Sequence, residues 1–384
     1  MKQKRYLFSL YLFFFTLFIG HGYTMYASRY LGEMGLSNTQ IGLTTAVPAF
    51  VAIFAQPVWG MLADRSAKKR TTIVIGMGLA ALSALCAHLS AGHFLPLLTA
   101  LTLVYTMTLP ASPVSNAIAI EYTKETGADF GPIRLCGTLG YQLSILAAGF
   151  LFTQSLSGFY AIYAVILLLG AASAALMPPS RGYQHGKNKV PLTALLHNQK
   201  LVIMLALVFL AQVVAQFFNA FFTKYLGDLG VSNSVTGIIT TLTVVMEIPF
   251  LFFGDRLFRR TSIFKWMWLG LLITGLRFAA LSFVRTPLLI LLTQLPSVAL
   301  FACFEFFPAL YIGQHLDREI SSSAQSVLQM TSFGLARIVG SSMGGALSEQ
   351  LGIGMVFRLG GFMLLAAAAC SYFPLCQKRQ AELS

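Results

Sequence analysis

The sequence predicts an all-α integral membrane protein with twelve transmembrane helices in two pseudo-symmetric six-helix bundles. Only 10% of its 384 residues are charged, against roughly 25% in soluble domains, while 56% are hydrophobic. Apolar runs of about 20 residues recur along the chain, and a helix needs this length to cross roughly 30 Å of hydrocarbon. A soluble chain of this size would need more charge on its surface.

A repeat half a chain long indicates a duplicated membrane unit. Residues 30–42 read YLGEMGLSNTQIG and residues 225–237 read YLGDLGVSNSVTG, with seven of thirteen positions identical at a constant offset of 195. If the tract recurs in the same setting, each unit holds an even number of spans and both halves face the same way.

Turns rich in Gly, Pro, Ser or charge separate the apolar runs. The predicted spans are 6–27, 41–62, 71–90, 95–120, 134–154, 158–177, 200–222, 236–254, 264–284, 287–312, 323–348 and 353–374. The longest polar break, with three prolines, follows the sixth span. We therefore expect an N-terminal bundle over residues 1–177, a cytoplasmic linker over 178–199 and a C-terminal bundle over 200–384.

The distribution of positive charge predicts the orientation. With a cytoplasmic amino terminus, 19 of the 26 Lys and Arg residues fall on the cytoplasmic side and only Arg29, Lys224 and Arg285 fall outside. This asymmetry predicts a multi-pass protein of a bacterial-type plasma (inner) membrane with both termini in the cytoplasm. The net charge of +13 does not indicate nucleic-acid binding, because no clustered basic face with aromatic or polar readers is evident.

The amino-terminal MKQKR and the apolar stretch after it have the pattern of a signal peptide. The equivalent second-half segment, 200–222, is internal, so we expect the first segment to be a retained span. The five cysteines show neither metal nor redox spacing, and we expect them to pack as small apolar residues.

Ionisable side chains within the apolar spans are the candidates for function. Such a group costs at least about 2.5–3.5 kcal/mol at mid-bilayer, so it normally faces a partner or a wet cavity. The candidates are His21, Arg134, Glu247, Arg277, Glu305 and Arg337.

Polar stripes occur in register in both halves. Span seven places Gln212, Gln216, Asn219 and Thr223 on one helix face, and His21 matches Gln216 at the offset of 195. We interpret these stripes as the lining of a central cavity shared by spans one and seven. The alternative is ordinary interhelical hydrogen bonding within a packed bundle.

Glu247 and Arg277 lie on consecutive spans, and either would be costly to bury alone, so the sequence predicts a direct or water-mediated link between them. A carboxylate in such a site can change protonation when its partner moves, as proton coupling requires. The predicted boundaries place the two at depths that differ by about 9 Å. Glu305 is therefore an alternative partner, and a pair that only fixes helix packing is a second alternative.

The loop after span two, GMLADRSAKKR at 60–70, resembles the loop signature of the major facilitator superfamily, and GDRLFRR at 254–260 is its counterpart in the other half. The resemblance covers the whole chain and implies that superfamily's fold. It implies a cytoplasmic gate at Gly60, Asp64, Arg65 and Asp255, where the acidic and basic residues clamp neighbouring helix ends. A merely solvated charged loop is the alternative.

A narrower similarity is to the branch with lactose permease, nucleoside–proton symporters and the 3-phenylpropionate transporter. FGPIRLCGTLGY at 130–141 resembles its fifth-span motif, which implies substrate roles for Arg134 and for Tyr141 on the same face. VVMEIPF at 244–250 and GLRF at 275–278 resemble the phenylpropionate-type transporters, which makes Glu247 and Arg277 substrate and proton residues.

Two positions depart from that branch. Asn116 stands where several relatives have a carboxylate, and Glu305 falls where relatives often have His.

The resemblance implies a secondary transporter that works by alternating access, and we expect proton symport of an aromatic or other organic acid, a sugar or a nucleoside. The expected partners are this solute, protons and the lipid bilayer, with the proton gradient as energy source, no cofactor and a monomeric state. The predicted substrate residues are His21, Asn116, Arg134, Tyr141, Gln216 and Asn219. The predicted proton-coupling residues are Glu247, Arg277, Glu305 and Arg337.

A drug–proton antiporter is the alternative transporter. Such exporters usually carry a Gly-Pro-x-x-Gly-Gly pattern late in span five, whereas residues 141–152 read YQLSILAAGFLF. A membrane enzyme would need a nucleophile–base set or clustered metal ligands, and the six histidines are scattered. A sensor would usually have a soluble signalling domain, which the sequence does not predict.

Overall fold

The computed structural model is helical through most of the residues that it describes, which are 2–90, 92–152, 158–180, 198–245, 262–315 and 318–372. The chain divides into two compact units. The first is Met1–Gly186 with Ser232–Ile238, and the second is Lys187–Val231 with Ile239–Ser384.

The helices of the first unit follow one another with short connections. They are α1 Lys2–Tyr23, α2 Ala27–Glu33, α3 Asn38–Arg65, α4 Lys69–Leu89, α5 Phe94–Thr108, α6 Ala111–Thr126, α7 Phe130–Leu151 and α8 Phe159–Ala175. A 3-10 turn, Thr24–Tyr26, joins α1 to α2, so that the two form one helical run.

The second unit contains two π-helical turns besides its α-helices. Its helices are α9 Gln199–Asp228, α10 Asn233–Val245, whose first residues belong to the first unit, α11 Ile263–Phe283, α12 Pro287–Gln294, α13 Ser297–Phe301, α14 Phe307–His315, α15 Arg318–Gln329, α16 Ala336–Leu351 and α17 Ile353–Tyr372. We call Ala302–Phe306 the first π segment and Met330–Leu335 the second π segment.

Within the described residues, eight helical stretches are long and apolar enough to cross a membrane, and the apolar helix α8 has 17 residues. The eight are Lys4–Glu33, Asn38–Ala63, Lys69–Leu89, Phe94–Thr126, Gln199–Asp228, Ile263–Phe283, Pro287–Gly313 and Ile353–Ser371. The chain is therefore a multi-pass helical membrane protein. The count of twelve spans and the three-part division of the chain stay predictions.

The sequence repeat forms the same helix stop twice. Gly35 and Gly230 adopt positive φ angles of 83° and 76°. The Gly35 N–H donates to the Gly32 carbonyl at 3.0 Å, and the Gly230 N–H donates to the Gly227 carbonyl at 2.9 Å. Such caps satisfy carbonyls that a helix end leaves open, and glycine adopts this backbone without the steric cost of a Cβ.

A serine then begins the next helix in both copies. Ser37 Oγ accepts from the Gln40 N–H at 3.3 Å, and Ser232 Oγ accepts from the Val235 N–H at 3.4 Å. Gln40 also accepts from the Ser37 N–H at 3.0 Å, which completes a capping box. The repeated tract is thus a stop and start signal between two helices.

A proline interrupts a long apolar stretch in each unit. Pro110 separates α5 from α6 and, having no N–H, leaves the Thr106 carbonyl without its usual donor. The indole N–H of Trp59 on α3 donates to this carbonyl at 2.9 Å. The break in the second unit lies between α12 and α13, at Pro296.

Each unit has its own aromatic core. In the first, the ring of Tyr23 stacks on Phe159 at 4.6 Å, and its hydroxyl donates to the Phe159 carbonyl at 2.9 Å. In the second, the ring of Phe357 lies 5.1 Å from Phe217 and 6.2 Å from Phe278. Phe159, Phe278 and Phe357 are fully buried. These rings therefore stabilise the helix contacts through the apolar surface that they bury and through favourable ring–ring geometry.

Replacing either repeat glycine is expected to destabilise its own helix stop. Gly35→Ala and Gly230→Ala each force a Cβ into left-handed backbone, which costs about 1–2 kcal/mol. The thermal unfolding midpoint of the purified protein in detergent should fall in both variants. Gly78→Ala is the matched control, because this residue of α4 has ordinary helical φ and a Cβ added there would lie in open space. Equal midpoints for all three variants would contradict the capping role.

Candidate functional site

Helices α1 and α7 pack closely because glycines leave room at their interface. A Cβ at Gly137 would lie 2.8 Å from the ring of Phe18, and one at Gly140 would overlap the Phe15 carbonyl oxygen. Larger residues at these two positions would force the helices apart. The close packing brings the Phe18 turn of α1 beside Arg134 on α7.

Phe18 links two of the predicted substrate residues. The Arg134 Cζ lies 4.3 Å from the centroid of the Phe18 ring, and the His21 ring meets Phe18 edge-on at a centroid distance of 5.3 Å. Arg134 and His21 are exposed, and Tyr141 is half-buried two turns further along α7. We call Phe18, His21 and Arg134 the first-unit cluster. A cation, an imidazole and an aromatic face suit a ring-containing solute with hydroxyl or acidic groups.

Both interrupted stretches carry a candidate polar residue after the break. Asn116 lies six residues beyond Pro110, on α6, and its side chain is partly exposed. Glu305 lies nine residues beyond Pro296, in the first π segment. Discontinuous helices are a common place for binding groups in membrane proteins, because their free backbone and side-chain groups face a cavity.

Arg277 is buried inside α11, with 3% of its surface exposed. Its Nη2 donates to Oε1 of Gln294 at 2.5 Å, and its Cζ lies 4.7 and 4.9 Å from the ring centroids of Phe218 and Phe278. An acceptor and two aromatic faces offset part of the loss of water around the cation. Glu247, which the sequence pairs with Arg277, lies outside the described residues, so this pairing stays a prediction.

Two glutamines of the predicted α9 stripe make interhelical hydrogen bonds. Gln212 Nε2 donates to Glu305 Oε1 at 3.1 Å, and Gln216 Nε2 donates to the Ser332 carbonyl at 3.1 Å. Gln212 and Gln216 are almost fully buried, whereas Asn219 is exposed. The two bonds are those that the packing interpretation of the stripe expects, and the lining of a shared cavity stays a prediction.

Arg337 lies in the first turn of α16, directly after the second π segment. Its side chain is half-buried, and its backbone carbonyl accepts from Ser341 Oγ at 2.5 Å. The residue therefore lies close in sequence to the segment that Gln216 holds.

The predicted gate is only partly within the described structure. Gly60, Asp64 and Arg65 form the last turns of α3, and of their side chains the structure describes that of Arg65, which is exposed. Asp255 lies outside the described residues. The gate thus stays a prediction.

Lys69 and Arg70, the last two residues of the tract 60–70, bind residues at or near the ends of other helices. Lys69 Nζ forms an ion pair with Glu121 Oε2 at 3.2 Å, and Ser180 Oγ donates to the same oxygen. The Arg70 guanidinium donates to the Met177 carbonyl. These contacts tie the start of α4 to the end of α6 and to the segment after α8.

Phe18, Gln294 and Ser332 are absent from the sequence prediction. A phenylalanine or serine in an apolar run gives no individual signal, because most such residues only pack. Gln294 did give a sequence signal, because it is an amide inside the apolar stretch before Pro296. Among the described residues, no group of three or more His, Cys, Asp or Glu side chains is arranged to hold a metal ion.

The model of the MFS_1 like family matches residues 5–359 of this chain. The match therefore extends over both compact units and almost the full length.

Three known transporters are similar to this chain over most of its length. A maltose permease of Geobacillus stearothermophilus is 29% identical over 276 residues, which are 70% of this chain and 69% of that protein. The putative nucleoside transporter YegT of Escherichia coli (strain K12) is 27% identical over 348 residues, which are 84% and 79% of the two chains. A crystal structure of the nucleoside transporter NupG matches with a TM-score of 0.86 at 19% identity, covering 96% of this chain and 99% of that one, and this likeness shows the fold.

Proposed function

The chain belongs to the MFS_1 like family of major facilitator superfamily transporters, and we propose that it imports a small hydroxylated solute together with protons. Membership in this family makes the chain a transporter of small solutes, not a member of an enzyme family. The proposal adds the direction, the coupling ion and the class of solute.

The environment of Glu305 is the observation that carries the proposal of proton coupling. The residue lies within the apolar stretch Pro287–Gly313. Among the described residues Glu305 forms no ion pair, and its side chain contacts the amide of Gln212. A carboxylate held by a neutral amide can gain and lose a proton without leaving a cation unpaired. Proton coupling requires a group of this kind inside the membrane.

The first-unit cluster supports the class of solute. Arg134 offers hydrogen-bond donors to hydroxyl or acidic oxygens, and the Phe18 and Tyr141 rings offer faces against which a sugar or base ring packs. The relatives named a maltose permease and a putative nucleoside transporter point to the same chemistry. We therefore propose a nucleoside or a sugar rather than an aromatic acid as the solute.

The cellular setting follows from the distribution of charge in the sequence. We propose a plasma (inner) membrane of bacterial type, both termini in the cytoplasm and a monomeric transporter that works by alternating access. The proton gradient supplies the energy, and no cofactor takes part.

Binding to the purified protein tests the class of solute. Uridine or maltose should raise the thermal unfolding midpoint at two pH values, because a ligand that binds the folded state stabilises it. Arg134→Ala should weaken the apparent affinity at least about tenfold, since a hydrogen bond from a charged donor is lost. The control is Arg285→Ala, which removes an exposed arginine between α11 and α12. Binding of 3-phenylpropionate alone, or equal affinity in both variants, would contradict the proposal.

Accumulation in proteoliposomes tests proton coupling. With one proton per solute, an inward gradient of one pH unit supports about tenfold accumulation, because one unit is worth about 1.36 kcal/mol. Glu305→Gln and Glu247→Gln should each abolish this accumulation and preserve solute exchange. Glu33→Gln, at an exposed carboxylate at the end of α2, is the control and should accumulate normally. Undiminished uphill uptake in both variants, or solute driven outwards as in an antiporter, would overturn the assignment.

A further inference from the structure

We propose that Gln212 and Gln216 are positioning residues that bind Glu305 and the second π segment to the same face of α9, so that the two contacts act as one unit. This inference rests on the proposed function, because it takes Glu305 as a proton-coupling residue. Neither glutamine needs to touch the solute for this role.

The two π segments are the first ground for the proposal. Well under 1% of residues in proteins are π-helical, and such turns occur frequently at functional sites. Both segments lie in the second unit, and both pack against α9. The first contains Glu305 and the second contains Ser332.

The second ground is the spacing of the two glutamines. Gln212 and Gln216 are four residues apart, so their side chains lie on one face of α9, about 6 Å apart along its axis. Gln212 reaches the Glu305 carboxylate and Gln216 reaches the Ser332 carbonyl, each at 3.1 Å. Only 1% of Gln212 and 4% of Gln216 are exposed, and a buried amide without a partner is costly. Each contact is therefore expected to persist while α9 keeps its place.

The third ground is the close packing of α9 and α16. A Cβ at Gly340 would overlap the Val213 carbonyl oxygen, and a Cβ at Gly344 would overlap the ring of Phe217. Val213 and Phe217 each follow one of the two glutamines directly in sequence. The second π segment leads into α16, so a shift of α9 at this level also shifts that segment.

The two acceptors are of different kinds, so the two contacts hold different parts of the second unit. Gln216 binds a main-chain carbonyl, so it fixes backbone rather than a mobile side chain. Gln212 donates to a carboxyl oxygen of Glu305, and this hydrogen bond is roughly twice as strong when the carboxyl group is ionised as when it is neutral. The helix α9 therefore connects the orientation of the Glu305 side chain with the backbone of the second π segment.

Methionine variants in proteoliposomes test the proposal. Methionine has nearly the length of glutamine and no amide, so Gln212→Met and Gln216→Met each remove one donor. The measured quantity is the ratio of pH-driven accumulation to equilibrium exchange, with uridine and maltose as parallel probes. Each variant should lower this ratio at least about fivefold, and the double variant should be no worse than the more affected single variant.

The control removes a comparable bond elsewhere in the same unit. Gln325 Nε2 on α15 donates to the Ala309 carbonyl on α14 at 2.7 Å. Gln325→Met is expected to lower the thermal midpoint without changing the ratio. If the Gln212→Met or Gln216→Met protein does not insert into the membrane, Gln212→Asn and Gln216→Asn replace it in the test. Asparagine keeps the amide, but its shorter side chain withdraws the amide from its acceptor.

The outcomes separate this inference from the proposed function. Additive losses in the double variant of Gln212→Met and Gln216→Met, or an unchanged ratio in the single glutamine variants while Glu305→Gln abolishes accumulation, would overturn the inference alone. If Glu305→Gln accumulates both probes normally, the coupling role of Glu305 fails, and the inference that rests on it fails as well.

Discussion

Polar groups inside apolar helices must find their partners within the protein, because hydrocarbon offers neither water nor counter-ions. The described structure meets this constraint by joining helices. Arg277 on α11 is held by Gln294 at the end of α12, and the Thr106 carbonyl freed by Pro110 is held by Trp59 on α3. Each such contact fixes which helix faces pack together, and so it also fixes where the remaining polar side chains lie.

The two halves of the sequence share a helix stop and start signal, but the two units differ in the polar groups that they hold. The stop and start signal at Gly35 and Ser37 recurs at Gly230 and Ser232 with the same backbone hydrogen bonds. Both π segments lie in the second unit, and the described part of the first unit contains none. The second unit also holds Glu305 and the glutamines Gln212 and Gln216 that contact Glu305 and the second π segment.

The sequence predicted the features that leave a periodic or compositional signal. The repeat predicted a duplicated unit, and the charged residues in apolar runs identified Arg277, which is buried, and Glu305, which is half-buried, as polar groups within the helices. The sequence did not predict which side chains bind them, because the Arg277–Gln294 and Glu305–Gln212 contacts depend on how the helices pack. The π segments were also missed, since an extra residue in a helical turn changes backbone geometry without changing the apolar pattern.

Proton movement that accompanies solute entry tests the central claim most directly. Proteoliposomes without an imposed gradient receive uridine or maltose, and a pH-sensitive dye reports the external medium. The account predicts that the external medium becomes more alkaline as solute enters, and that Glu305→Gln removes this signal while solute still equilibrates. Solute entry with no proton movement, or with acidification of the medium, would contradict proton symport by this protein.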